Sequence, residues 1–110
     1  MVYAMIIAGL LSAHAEEPTA QEHVIEIVGF KFVPEKIEVN PGDTVTWINR
    51  DIVPHTATGK DGSWGTGTLN QNESKSFVVR QKMETSYFCR FHINMIGSIS
   101  VAGDKNLNGT

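Results

Sequence analysis

The sequence predicts an all-β fold, a sandwich of seven or so short strands joined in Greek-key fashion, and three features carry that prediction. No segment after residue 15 sustains a helical period. Apolar residues alternate in short runs instead, and Gly, Pro, Asn and Asp separate those runs at brief intervals. At 110 residues there is room for one compact domain and not for two ordinary ones.

The first run, residues 23–28, sets Ile25 and Ile27 on one face. Gly29 breaks it, and Phe30, Phe32 and Val33 are expected to supply core bulk before Pro34. Residues 35–39 alternate cleanly, with Ile37 and Val39 pointing in and Lys36 and Glu38 out. Asn40-Pro41-Gly42-Asp43 is a turn with a mechanism, because Pro presets φ and Gly accepts a positive one. Residues 44–49 are rich in β-branched and aromatic side chains, with Val45 and Trp47 facing one way. A loop holding Asp51 and Pro54 leads into a further short strand at 55–58. Residues 59–72, rich in Gly, Thr and Asn, read as a long surface connection. Two more strands are expected at 74–80 and 85–89, and a last at 97–102 that buries Ile99 and Val101.

A hydrophobic content of 41% with 19% charge is a globular composition. The nine Lys and Arg residues are scattered and the net charge is −3, so no phosphate-tracking surface and no nucleic-acid partner are expected. The start of the chain differs from the rest. Residues 2–11 are almost continuously apolar, Ala13-His14-Ala15 is an A-x-A cleavage pattern, and Glu16-Glu17-Pro18 follows as at the start of a mature chain. No Lys or Arg precedes the apolar run. That run is well short of the ~20 residues a membrane helix needs. The expected organisation is a signal peptide at 1–15 cleaved after Ala15, a tail at 16–22, the domain at 23–103 and a flexible polar tail at 104–110. Export to the periplasm follows, with no stable membrane insertion after cleavage and a monomeric product.

A small exported domain usually carries its cysteines in pairs. This one has a single cysteine, Cys89, so something else should occupy that sulfur. In Tyr87-Phe88-Cys89-Arg90-Phe91-His92-Ile93-Asn94-Met95-Ile96-Gly97 a thiol, an imidazole and a thioether recur every third residue. Thiolate and thioether are soft ligands suited to copper, and imidazole accepts either copper oxidation state. Two His and a Cys in a trigonal set with a weak axial Met form a blue-copper electron-transfer centre. Of the four histidines, His14 lies in the signal segment and His23 begins the first strand, which leaves His55 as the second imidazole. Each residue alone has a plain structural explanation: a buried thiol, a surface imidazole, a core methionine. Together, at matched spacing, His55, Cys89, His92 and Met95 point to one bound copper ion.

At these residues the chain resembles the cupredoxins, most closely the amicyanin and pseudoazurin group, over roughly residues 23–102. Pro41-Gly42-Asp43-Thr44-Val45-Thr46-Trp47-Ile48-Asn49 resembles the turn and strand before the first copper histidine, and Pro54-His55-Thr56 the histidine itself. The two-residue gaps between Cys89, His92 and Met95 are the short ligand loop of amicyanins; pseudoazurins and plastocyanins carry a longer gap between His and Met. Gly97, Ile99 and Val101 resemble the closing strand. The resemblance implies a cupredoxin-like Greek-key β-sandwich of seven to eight strands with a type 1 copper ion at one end. It implies a non-enzymatic carrier of single electrons serving transient redox partners, among them a periplasmic dehydrogenase and a c-type cytochrome. It also makes the exposed edge of His92 the electron port, ringed by Pro54, Phe91, Ile93 and Met95.

Three positions depart from the amicyanin pattern. Phe91 and Ile93 stand where such loops commonly carry Pro, and Thr56 where Asn often ties the two ligand loops together. The Thr56 hydroxyl is expected to do part of that work. Phe91, unlike Pro, has a backbone N–H, expected to lie near the Cys89 sulfur and raise the redox potential. The alternative function is a periplasmic copper-binding and delivery protein, whose sites tend to be Met-rich. Of the four methionines here, Met1 and Met5 fall in the signal segment and only Met83 accompanies Met95. A multicopper enzyme fragment would need further histidines, and only His23 remains. Zinc also suits Cys and His donors.

Overall fold

Alternation along the chain becomes two faces in space. In Thr44–Asn49 the side chains of Val45, Trp47 and Asn49 are buried while those of Thr44, Thr46 and Ile48 reach the outer surface. In Glu22–Ile27 the residues Ile25 and Ile27 turn inward in the same way. A computed structural model describes residues 19–103, and among these residues it has eight strands and no helix. The expected signal segment 1–15, its neighbours 16–18 and the tail 104–110 lie outside the described residues.

One sheet holds β1 (Glu22–Ile27), β2 (Phe32–Val33), β4 (Thr44–Asn49) and β6 (Ser74–Val78) in the order β2-β1-β4-β6. The other holds β3 (Lys36–Val39), β5 (Thr58–Gly59), β7 (Ser86–Cys89) and β8 (His92–Val101) in the order β3-β8-β7-β5. β1 and β4 run parallel, as do β3 and β8, so the chain crosses between sheets rather than meandering within one. Facing side chains fill the space between: Ile25, Ile27, Val45 and Trp47 from one sheet, Tyr87, Cys89, Ile99 and Val101 from the other. The cupredoxin-like β-sandwich is therefore the observed fold.

Four local expectations are corrected. The run 55–58 is not a continuous strand: His55 makes a single bridge to Leu69, and pairing resumes only at Thr58–Gly59. The segment 59–72 is not all surface, because Trp64 and Leu69 are core residues. Trp64 lies 5.3 Å from Trp47, centroid to centroid, and its Nε1 donates to the Glu84 carbonyl at 3.0 Å. Two large apolar side chains among polar ones were enough to pull the loop inward. Of Phe30, Phe32 and Val33, only Phe32 is core; Phe30 is 47% exposed. The last strand begins at His92 rather than Gly97, since a backbone ladder does not require alternation. Its pairing jumps from Phe88↔Ile96 to Cys89↔His92, which leaves Ile93, Asn94 and Met95 as a bulge at the end of the hairpin.

Near the start of β4 the Asp43 carboxylate accepts hydrogen bonds from the Asn40 and Gln21 amides and from His23 Nε2, each at 2.9 Å. These contacts hold its pKa at about 2, the Asn40 and Gln21 amides contributing most. A depressed carboxylate stabilises the fold above the usual value of 3.8 and loses that contribution as pH falls through about 2. Asp43→Asn is therefore expected to lower Tm at pH 7 by several degrees, with the gap to the parent closing near pH 2. A gap independent of pH between 7 and 2 would contradict this account.

Candidate metal centre

Backbone pairing delivers the donors. Two hydrogen bonds with Leu69, at 3.1 and 2.8 Å, pin His55 where the chain enters the second sheet. Cys89 ends β7 and His92 begins β8, so the tight hairpin between them sets both side chains at the same end of the sandwich. The ligand atoms of His55, Cys89 and His92 all lie within 4.8 Å of one another. Cys89 Sγ is 3.8 Å from Nδ1 of His55 and 3.8 Å from Nδ1 of His92. Donors in a plane around one metal, with bonds of about 2.0–2.3 Å, stand roughly 3.5–4 Å apart. The spacing and the soft thiol-imidazole chemistry both fit one copper ion. Met95, on the same bulge, is 6% exposed.

The surrounding hydrogen bonds orient these groups. Asp51 accepts from the His55 Nε2 at 2.8 Å; a carboxylate can only accept, so Nε2 carries the proton and Nδ1 is left free to face Cys89. The same carboxylate accepts the amides of Gly29 at 2.7 Å and Phe30 at 2.9 Å. Burial alone would raise the Asp51 carboxyl, but the hydrogen bonds from Phe30, Gly29 and His55 outweigh it and hold the pKa below the usual carboxylate value. Asn49, fully buried, ties the loop from below: its amide donates to the Val53 and Leu69 carbonyls, and its Oδ1 accepts the Asp51 N–H.

Thr56 joins the two donor-bearing segments twice. Its N–H points at Cys89 Sγ, 3.4 Å away, and its Oγ1 accepts the Arg90 N–H at 2.9 Å. The expected tie by the hydroxyl is present. Thr56→Val should leave the Arg90 amide without its acceptor and cost about 1–2 kcal/mol of stability. An unchanged urea midpoint in the metal-free variant would count against the tie.

Two expectations are revised here. Among the described residues the N–H that approaches the Cys89 sulfur belongs to Thr56 and not to Phe91, so the expected rise in potential from the Phe91 N–H loses its basis. Met95 does not belong to the exposed apolar ring, since the bulge folds its side chain inward. The exposed apolar side chains near the donors are instead Phe30, whose ring meets His55 and His92, then Ile52, Val53 and Pro54 just before His55, and Phe91 and Ile93 on either side of His92. Ile93 is 71% exposed and His92 is half-buried.

Asp51, Asn49 and Phe30 were not anticipated as parts of the site. For Asp51 a signal existed, an acid four residues before the candidate histidine. For Asn49 the available clue was a polar residue at the alternation position that shares an inward face with Val45 and Trp47. Phe30 offered none, because a phenylalanine between two strands reads as core.

Comparison with known proteins points the same way. A family model described as copper binding proteins, plastocyanin/azurin family, matches residues 20–102. Amicyanin of Paracoccus denitrificans is 30% identical over 83 residues, which cover 71% of this chain and 63% of that protein. A plastocyanin from a Synechococcus strain is 26% identical over 123 residues, covering 94% of this chain and 90% of that one. Among solved structures, a reduced amicyanin carrying a Pro-to-Phe substitution superposes with a TM-score of 0.62 at 30% identity, over 72% of this chain and 80% of that chain. A copper-containing nitrite reductase from Thermus scotoductus gives a TM-score of 0.66 at 27% identity, over 84% of this chain but 24% of the reductase. The chain thus spans less than two thirds of the Paracoccus amicyanin and about a quarter of the reductase.

Proposed function

This chain belongs to the plastocyanin/azurin family of copper-binding proteins, with an amicyanin-like cupredoxin fold and one type 1 copper ion as its cofactor, and from that premise we propose that it is an exported carrier of single electrons. The observation that carries this reading is the pair of equal 3.8 Å separations between Cys89 Sγ and the two Nδ1 atoms, with the half-buried His92 imidazole standing between the exposed Phe91 and Ile93 and against Phe30. His55 Nδ1, Cys89 Sγ and His92 Nδ1 would hold the copper ion, with the buried Met95 thioether as a further soft donor. Bound copper supplies a one-electron Cu(I)/Cu(II) couple.

The chain does the rest. Asp51 and the Leu69 bridge hold the His55 imidazole and backbone in one orientation, which would limit reorganisation at a bound metal. The Thr56 N–H aimed at Cys89 Sγ draws charge from the thiolate and is a lever on the potential. Burial of Cys89 and Met95 excludes water from one side of the centre, while His92 offers a short route to a partner on the other. The apolar ring suits brief docking, and weak redox encounters typically bury less than about 1,200 Å². Transient redox partners, among them a periplasmic dehydrogenase and a c-type cytochrome, and a monomeric state complete the proposal. A carrier rather than an enzyme is favoured because His23, the remaining mature histidine, is engaged with Asp43 beside the first residues of β4. Export would release a chain beginning at Glu16, which N-terminal sequencing of periplasmic material reads directly.

The deciding experiment loads the purified mature chain with Cu(II), then reduces it with ascorbate, reoxidises it and offers a Cu(I) chelator. A blue protein that bleaches and recovers with its copper retained is the expected result. Rapid surrender of Cu(I) would favour the delivery protein, and a colourless chain holding zinc tightly would end the assignment.

A further inference from the structure

Val28 and Lys31 exchange both backbone hydrogen bonds, at 3.0 and 3.2 Å, so Gly29 and Phe30 are the two central residues of the hairpin that joins β1 to β2. Their φ values are 63° and 62°, the pattern of a type I′ turn. The second position of such a turn favours glycine, and a left-handed phenylalanine is an uncommon occupant. Core packing does not explain its presence, since nearly half of the residue is exposed to solvent. What the ring does touch is the candidate centre. It meets His92 edge-on, with centroids 4.8 Å apart at 82°, and His55 at 5.0 Å and 85°. The turn is braced by Asp51, whose Oδ2 accepts both the Phe30 N–H and the His55 Nε2–H. His55 is thereby held by a carboxylate as well as by the aromatic edge. Among the described residues, the polar contact recorded for the His92 ring is Cys89 Sγ.

We propose that Phe30 is a positioning residue: its ring, carried on a strained turn that Asp51 braces, limits rotation of the His92 imidazole and keeps Nδ1 facing Cys89. Strain stored in a turn at a functional site fits this role, because glycine would serve the turn better and the histidine worse. The inference rests on the copper reading above, and its test separates the two.

The test compares Phe30→Gly, Phe30→Asn and Phe30→Tyr with the parent. Gly and Asn both tolerate positive φ, and Tyr keeps the ring. In the metal-free protein the first two variants should match or exceed the parent Tm, while NMR relaxation of the His92 ring should report an ordered imidazole in the parent and Tyr variant and a mobile one in the other two. With copper bound, Phe30→Gly and Phe30→Asn should lose Cu(I) to a chelator roughly 10-fold faster, as for loss of a ligand-orienting neighbour. They should also show an altered copper EPR spectrum, with Phe30→Tyr close to the parent. Parent-like His92 order, EPR and copper release in the Gly and Asn variants would overturn the proposal. So would a fall in metal-free Tm in both, which would make Phe30 a structural residue. If the parent itself forms no blue centre, the copper reading fails while the metal-free His92 measurement still judges Phe30.

Discussion

Cys89→Ser is expected to abolish the blue absorption and weaken copper binding by more than ~100-fold, a loss beyond the 10–100-fold typical of removing a group that only orients a ligand. The sulfur is completely buried, sits 3.8 Å from each of two imidazole nitrogens and receives the Thr56 N–H. A serine hydroxyl is a hard, neutral donor on a shorter bond, and it cannot supply the thiolate that gives such a centre its colour and much of its affinity. The fold should survive. Serine is close in size, and the Thr56 amide is in place to satisfy the new oxygen, so the metal-free Tm should stay within a few degrees of the parent. Visible spectroscopy, copper titration and calorimetry on the same preparation separate the outcomes. A variant that stays blue, or one whose metal-free form unfolds at low temperature, would show that Cys89 serves packing before metal.

The second large effect is expected far from any donor atom. Gly97→Ala should cost about 2–3 kcal/mol, as overpacking of a tight core does, and lower Tm by roughly 10–20 °C. Gly97 on β8 pairs with Tyr87 on β7, and the tyrosine ring lies over it. A Cβ at Gly97 would sit 2.4 Å from both Cζ and Oη of Tyr87, closer than packed atoms approach. The ring has nowhere to go. It is 1% exposed and is hemmed in by Phe32 at 4.7 Å, Trp47 at 5.4 Å and Trp64 at 5.8 Å. Burial also pushes the Tyr87 hydroxyl up to about 12, so the group stays neutral across the working pH range. Gly59, the other cross-strand neighbour of Tyr87, is covered in the same manner by Trp64, whose Nε1 would lie 2.7 Å from an added Cβ. Two glycines thus make room for two aromatic rings in one sheet. Thermal unfolding of metal-free Gly97→Ala within ~2 °C of the parent would mean that the tyrosine can move aside, contrary to this account.

Both effects start from residues that a reader of the chain treats very differently. Cys89 is conspicuous because it is the only thiol and stands in a Cys, His, Met series. Gly97 is one of ten glycines and carries no local mark. The difference is one of range. Ligand spacing within residues 89–95 is a property of a single hairpin, so chemistry and position can be read together. The space above Gly97 depends on where a ring from another strand comes to rest. The same contrast separates His55, reached by elimination among four histidines, from Asp51, whose role needs the β1–β2 turn to approach from 21 to 22 residues away.

The sequence by itself determined the sandwich class, the element order to within a few residues and a donor set chemically suited to copper. It could do so because alternation, turn chemistry and ligand spacing are local, and the fold has few ways to satisfy all three. Only the tertiary structure decided which way the neighbours face. It turned Met95 inward and Phe30 outward, drew Trp64 and Leu69 out of a polar loop into the core, and gave the contact with the Cys89 sulfur to Thr56 rather than Phe91. The physical reason is common to all four. Burial and hydrogen-bond partnership are settled where two sheets and their loops meet, between residues as far apart in the chain as Cys89 and His55, and no periodicity in either segment encodes that meeting.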